Sequence, residues 1–512
     1  MKRLKCLLLS TLVAVLPACK INAQTSSEDL TKPRVIVTCD PELDDLNSLI
    51  RFLLFSTDFR VEGLIYASSQ FHWKGDGQGT KWWVPGREYS RNGINYPPME
   101  SWRWAPDERF IDDAVDAYAK VYNNLKIHNT AYPTPEYLKS KVRVGNIEFD
   151  GDFSKDTPGS ELIKQVILDE KPGPVFIQAW GGASTIARAL KSIEDIYSDS
   201  ENWKAMKEKI SNKVILSLSG DQDDTYARYI QPFWPDIKNM EMGNINVGLA
   251  YNAQLRTSEE NKVFYSPKWM QENIRSKGAF GELYRVWGDG KQMVKDDKFD
   301  FFGFTGKTVE ELKAEGYVVW TGLQPAGSFL AEGDTYCFLN LIDNGLRAHE
   351  NPTYGGWCGG RTTLPDDIKA KPRMEQMAYL KEHFPLPDFT APIMNGLAAR
   401  MLWSVSSDYK AANHYPVIDG ELAMSGKPGE TLKLKYKVTD PDKDNITVKW
   451  WQYCSSSTYP GKVSVDNPAS ANTTFTIPAD AKAGNTIHLI LEATDDGSPQ
   501  LNRYLRLIIT VK

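Results

Sequence analysis

The sequence predicts a mostly parallel, doubly wound α/β domain followed by a C-terminal all-β sandwich. Short β-branched runs alternate with amphipathic helical stretches through most of the chain. The clearest of these runs end in polar or glycine-containing turns, where an open α/β sheet places its ligands. Around residues 408–416 helical spacing stops, and short alternating strands separated by Asp, Pro and Gly turns take over.

The first element is the best defined. Val35, Ile36 and Val37 form a strand-like run that ends in the turn Asp40-Pro-Glu-Leu-Asp44-Asp45. Leu46, Leu49, Ile50, Leu53 and Leu54 follow at helical spacing. Two readings of the turn are open. Asp44 and Asp45 near a helix N-terminus suit its dipole, or the repelling carboxylates hold a hard cation such as Ca2+. A second strand over 60–67 completes a βαβ unit, and Ser68, Ser69 and Gln70 fall on the same rim as Asp40.

Regular patterning dissolves over 71–104, where Gly and aromatics such as Trp73, Trp82, Trp83 and Trp102 dominate. So long an insertion is read as a lid that stacks a sugar on Trp73, Trp82 and Trp83, or as a satellite core. A helix is expected over 106–124 and another over 160–168. A buried strand over 174–178 then enters the turn Trp180-Gly-Gly-Ala-Ser-Thr185, with Ser184 or Thr185 as helix cap. The strand over 213–219 ends in Asp221, Asp223 and Asp224, expected to be a solvated turn. A helix over 269–276, a strand over 317–321 and an acidic turn at Asp334 entering a helix follow. The glycine loop 351–361 carries Tyr354, Trp357 and Arg361, read as bringing flat rings and backbone amides to a ligand, or as a multiple turn.

The expected domains are 33–407 and 415–512, after a targeting segment at 1–23. That segment has a basic start (Lys2, Arg3, Lys5) and an apolar run over 6–16 too short to span a bilayer. Leu16-Pro-Ala-Cys19 reads as a lipobox with Cys19 lipidated, Asn22-Ala23 as an ordinary cleavage site. Either reading exports the protein to the periplasm, cell surface or medium, with membrane attachment only through Cys19. In the sandwich, Asp440, Asp442 and Asp444 have a spacing open to calcium or to a plain turn. Cys39, Cys337, Cys358 and Cys454 show no CxxC spacing and are expected as free thiols rather than a Cys337–Cys358 disulfide.

Composition bounds the function. The 512 residues are 41% hydrophobic and 25% charged, an ordinary globular balance with room for two or three domains. A net charge of −6 with no basic block excludes a nucleic-acid partner. Fifteen Trp and 23 Tyr suggest flat surfaces for sugar stacking, although cores absorb most aromatics.

The turn Asp40-Pro-Glu-Leu-Asp44-Asp45 resembles the signature of the inosine-uridine-type nucleoside hydrolases. Trp180-Gly-Gly-Ala-Ser-Thr-Ile-Ala and Asp334-Thr-Tyr-Cys-Phe resemble that family's glycine turn and late segment, in the same order. The resemblance implies a calcium site. Asp40 would be ligand and general base, Asp45, Asp334 and the Trp180 carbonyl ligands, and Asp44 the holder of sugar hydroxyls. Thr38, Glu42 and Gly333 stand where the family has aspartate, glycine and histidine, which weakens nucleosides as the substrate. The Trp-rich insertion, the Tyr-Gly-Gly-Trp loop and the second domain resemble more an exported bacterial branch described as cellulose-binding. Three functions are therefore expected in turn: a calcium-dependent glycosyl-bond hydrolase with a carbohydrate or glycoside substrate, a carbohydrate-binding protein without catalysis, or an extracytoplasmic nucleoside hydrolase. Gln70, Trp73, Trp82, Trp83, Tyr354 and Trp357 are the expected substrate contacts beside Asp44.

Overall fold

The structure is a computed structural model that describes residues 32–240, 248–351, 353–360, 364–383 and 386–512. The predicted targeting segment with Cys19, and Arg361, lie outside the described residues. The α/β domain begins β1 (Arg34–Cys39), α1 (Leu43–Leu54), β2 (Arg60–Tyr66), α2 (Phe110–His128), α3 (Pro135–Lys139) and β3 (Val142–Val144). It continues α4 (Pro158–Leu168), β4 (Val175–Ala179), α5 (Ser184–Tyr197), α6 (Trp203–Lys213), β5 (Val214–Leu218) and β6 (Lys238–Asn239). The strands form one parallel sheet in the order β3-β2-β1-β4-β5-β6.

β1 lies at the centre with helices on both faces, and period-2 alternation divides its side chains between two cores. Val35 and Val37 join Phe176, α1 and α2. Ile36 joins Ile177, Leu216, α4 and α5 on the other face. The strand order reverses between β1 and β4, so the chain segments leaving their carboxyl ends diverge and open a crevice. Asp40 follows β1 and Trp180 follows β4. α1 is buried along its whole length, so its polar residues need partners inside the protein. Asn47 donates to the Arg285 and Ala331 carbonyls, both at 3.0 Å. Arg51 is forked onto Glu332, which also accepts from the Tyr284 hydroxyl. These bonds clamp residues 331–335 against α1.

Several expectations are corrected. The insertion folds around its own aromatic core, the second of the two readings given for it. Trp73, Tyr89, Trp102 and Phe299 are buried together, and Trp73 pairs with Trp102 as an isolated antiparallel bridge. No strand forms over 317–321, because Val318 donates to the Lys298 carbonyl without a continuing ladder while Tyr317 and Val319 fill a local core. Asp223 is fully buried rather than solvated. Its carboxylate accepts from Ser184 N at 2.9 Å and Thr225 N at 3.0 Å, and so caps α5 in place of Ser184 or Thr185. The late helix is short, a 3-10 turn Gly333–Thr335 leading into Tyr336–Leu339. All four cysteines of the described body are free thiols.

A last helix, α7 (Thr390–Val405), precedes the β region: β7 (Val417–Asp419), β8 (Ala423–Gly426), β9 (Thr431–Lys435), β10 (Lys437–Thr439), β11 (Ile446–Gln452), β12 (Asn472–Thr476), β13 (Thr486–Asp495) and β14 (Asn502–Val511). A four-stranded sheet β11-β13-β14-β8 faces the pair β12-β9, with Leu434 and Phe475 of one packed on Leu489, Leu491 and Leu507 of the other. The outer side of the larger sheet joins the α/β core through Tyr453, Ile490 and Tyr504.

Arg506 is buried at this junction and donates to the Leu346 carbonyl at 2.6 Å and the Gly355 carbonyl at 2.7 Å. Its third nitrogen donates to His488 Nδ1 at 3.0 Å, which requires a neutral imidazole. Burial, then the Arg506 charge, pushes His488 from 6.5 down to about 3. Unfolded His488 takes up a proton in this range and folded His488 does not, so its stabilisation is complete above pH 6.5 and is lost as pH falls towards 3. His488→Gln should flatten this acid limb in urea midpoints measured from pH 7 to 4; an unchanged limb would remove His488 from the account.

Candidate active site

At the β1/β4 switch point the main chain turns sharply after Cys39, and Asp40 comes to rest with no solvent exposure. Its two oxygens have different fates. Oδ2 accepts from Ser69 Oγ at 2.6 Å and faces His72 Nδ1 at 2.7 Å. Oδ1 is buried and has no hydrogen-bond partner. Gly181 makes room for it, since a Cβ there would lie 2.3 Å from Oδ1. An ionised oxygen left bare in the interior is costly unless a cation or proton donor meets it.

The other carboxylates gather around Asp40. Asp45 Oδ1 accepts from Asp40 N at 3.1 Å, and Asp334 stands beside Asp45 and Ser219. Asp44 Oδ1 lies 3.4 Å from the Tyr251 hydroxyl. Asp44 Oδ2 fills the space above Gly333, where a Cβ would approach to 2.3 Å and displace the carboxylate. Burial, then Asp334 and Asp40, holds Asp44 and Asp45 well above the usual carboxylate range. Burial, opposed by Ser219 and reinforced by Glu42 and Asp40, does the same for Asp334. Glu42, raised to about 8 by burial and then by Asp44, stands at the edge. Asp40, Glu42 and His72 offer ligand atoms close enough to share one ion, as do Glu42, Asp44 and Asp45. Among the described residues no Lys or Arg pairs with Asp40, Asp44, Asp45 or Asp334. The Glu42, Asp44 and Asp45 set is all oxygen and strongly anionic, which suits a hard cation, while the other set adds the His72 imidazole.

The Trp180 carbonyl faces the same rim and accepts from Gln222 Nε2 at 2.7 Å, which leaves it a second lone pair. The Trp180 indole is core, stacked on Phe338 with ring centres 5.9 Å apart. Thr38, which stands where an aspartate was expected, turns its hydroxyl to the Gln178 carbonyl and away from the cluster. Gln70 is half-buried beside Ser69, with its Oε1 unpartnered.

The predicted aromatic contacts are mostly elsewhere. Trp73 is completely buried, and Trp82 stacks on Phe149. Trp83 is 40% exposed on the insertion. Trp357 is buried in the core that joins the two domains. Tyr354 packs edge-on to His488 and lies near the Arg506 guanidinium. The 353–360 loop is held by the β region, with Tyr453 Oη donating to the Gly356 carbonyl at 2.9 Å, so its rings brace the domain junction. Sequence reasoning missed His72 and Tyr251. His72 lies two positions beyond Gln70 and was legible only as one of six histidines next to the rim; Tyr251 comes from a stretch with no periodicity.

A parallel sheet in the 3-2-1-4-5-6 order, with an aspartate cluster after β1 and a glycine turn after β4, defines a nucleoside-hydrolase-like α/β domain. The chain belongs to the family described as "Cellulose-binding Sde182, nucleoside hydrolase-like domain", matched over residues 34–361. Residues 431–511 match the description "Cellulose-binding protein Sde0182, C-terminal domain". A solved structure of a nucleoside hydrolase-related hypothetical protein from Saccharophagus degradans, described as associated with carbohydrate metabolism, shares the fold with a TM-score of 0.66. The two are 24% identical over 94% of this chain and 100% of that one, a likeness of fold. No curated protein matches the chain.

Proposed function

We propose that the chain is an exported, calcium-dependent hydrolase of glycosyl bonds acting on a carbohydrate or glycoside. The observation that carries this reading is the divided Asp40 carboxylate, with one oxygen fixed by Ser69 and His72 and the other buried and bare. A protein that only binds glycan has no evident use for such a group. By the resemblance Asp40, Asp45, Asp334 and the Trp180 carbonyl would hold the ion, and Glu42, whose carboxylate converges with Asp40 and His72 and with Asp44 and Asp45, stands beside them. When bound, calcium supplies charge that lowers the pKa of a coordinated water.

The chain's own residues do the rest. Ser69 and His72 fix the Asp40 plane, so that Oδ1 is presented to a water and takes its proton. Asp44 accepts from sugar hydroxyls and orients the ring. The carboxylates stabilise positive charge developing at the anomeric carbon. The Arg51–Glu332 clamp beneath keeps Asp334 opposite α1. The basic, then apolar, N-terminal stretch supports export.

A second reading, glycan binding without catalysis, is favoured by the family's description as cellulose-binding. Bound-metal analysis followed by a screen of glycosides, cello-oligosaccharides and nucleosides separates the readings. Calcium retention with glycoside turnover is expected. Binding of glucan with no turnover on any substrate would leave the binding reading, and best turnover on inosine or uridine would replace both.

A further inference from the structure

Exposure within the acidic cluster is graded. Asp40 and Asp45 are almost solvent-free, Asp334 is 3% exposed and Asp44 9%, and the Glu42 side chain reaches 22%. The cluster therefore meets solvent along its Glu42/Asp44 edge, and a ligand has to enter there. Tyr251 stands on that edge, its hydroxyl 3.3 Å from Glu42 Oε1 and 3.4 Å from Asp44 Oδ1. Its ring stacks on Phe302, with centres 5.2 Å apart. Trp320 stands nearly perpendicular to Tyr251, ring centres 5.0 Å apart, and also packs against Phe301 and Phe302. With this backing the indole is held in place, yet it remains 48% exposed.

A large aromatic ring kept rigid and left wet needs a reason, because burying it would be favourable. The segment is anchored on both sides of the indole: Tyr317 is buried and Val319 half-buried against a local core before it, and Thr321 after it is tied to Asn252 beside Tyr251. An apolar ring surface beside carboxylates and a phenol matches the chemistry of a pyranose, whose axial C–H face is apolar and whose rim is hydroxyl.

We propose that Trp320, backed by Tyr251 and Phe302, is a stacking platform for a pyranose unit of a β-glucan chain, next to the Asp44 and Glu42 carboxylates that take its hydroxyls. The proposal rests on the glycan reading of the preceding section and names its subsite. The platform lies on the 317–325 segment, not on the Trp-rich insertion whose composition first suggested sugar binding.

Titration calorimetry with cellohexaose and the full chain tests it, using wild type, Trp320→Ala, Trp320→Phe and Trp83→Ala. Trp320→Ala should weaken binding at least tenfold, about 1.4 kcal/mol. Trp320→Phe should retain most of the affinity, and Trp83→Ala should match wild type. Far-UV circular dichroism of the Trp320 variants should match wild type, and Tm should fall modestly in Trp320→Ala, which loses the ring's packing on Tyr251, Phe301 and Phe302. Wild-type affinity in Trp320→Ala, or loss confined to Trp83→Ala, would overturn the platform while leaving glycan binding intact. Absence of any cellohexaose binding by wild type would overturn the glycan reading and the platform with it.

Discussion

Asp40→Asn should lower glycoside turnover about a thousandfold, roughly 4 kcal/mol of barrier, with little change in fold. The substitution is isosteric. The amide oxygen can still accept from Ser69 and His72 at the Oδ2 position, where both bonds are made. The amide nitrogen then occupies the place of Oδ1, which is buried and unpartnered. A group that took a proton is replaced by one that cannot, and one negative charge leaves the cluster. Calcium affinity should fall with the activity, because the nitrogen is a poor partner for a hard cation. Turnover at a fixed, saturating calcium concentration, and calcium binding by calorimetry, check the two effects separately. Undiminished turnover in Asp40→Asn would mean that another group takes the proton. His72→Gln is the milder companion: it removes the imidazole that faces Oδ2 but leaves both Asp40 oxygens, so kcat should fall less than in Asp40→Asn and calcium should still bind.

The α/β frame was legible because β1, β4 and β5 are short β-branched runs with helical spacing after them, a signal that depends on local sequence. The acidic turn was legible for the same reason, since Asp40, Asp44 and Asp45 lie within one turn of chain. Asp334 could be placed only by resemblance, because its approach to Asp45 is made by the Arg51–Glu332 and Asn47 clamps, which join positions far apart in sequence. The aromatics misled in the opposite direction. Tryptophan has the same composition signature whether it stacks a ligand or fills a core, and in Trp73, Trp82 and Trp357 the core claimed it. The exposed Trp320 sits in a Val-Val-Trp run that read as a strand, and its neighbourhood is visible only once Tyr251 is seen beside Asp44. Asp223 read as a surface turn because its partner, the start of α5, comes from a different βα unit.

Asp45→Asn should raise the stability of the metal-free protein at pH 8 and abolish its response to calcium. The cluster's carboxyls are held well above their ordinary range, chiefly by burial and by one another. Without a cation, the folded state then binds more protons than the unfolded one above the ordinary Asp value of 3.8. Stability therefore falls as pH rises through that range and on towards the Glu42 value of about 8. On the proposed function calcium should displace those protons, so that its stabilisation grows over the same interval. At a free concentration one hundred times Kd it amounts to about 2.7 kcal/mol, several degrees in Tm. The Asn side chain keeps the bond from Asp40 N and removes one of the mutually repelling charges, which accounts for the gain in the metal-free state. The competing role for this turn, capping the N-terminus of α1, makes the opposite forecast. The residue at the cap position, Glu42, makes no side-chain cap bond, so the only capping benefit of Asp45 is its charge near the helix dipole. If that charge were its purpose, Asp45→Asn would lower Tm by a small amount at every pH, and calcium would move neither protein. Scans of both proteins at pH 5 and pH 8, with calcium and with chelator, read the two signs directly.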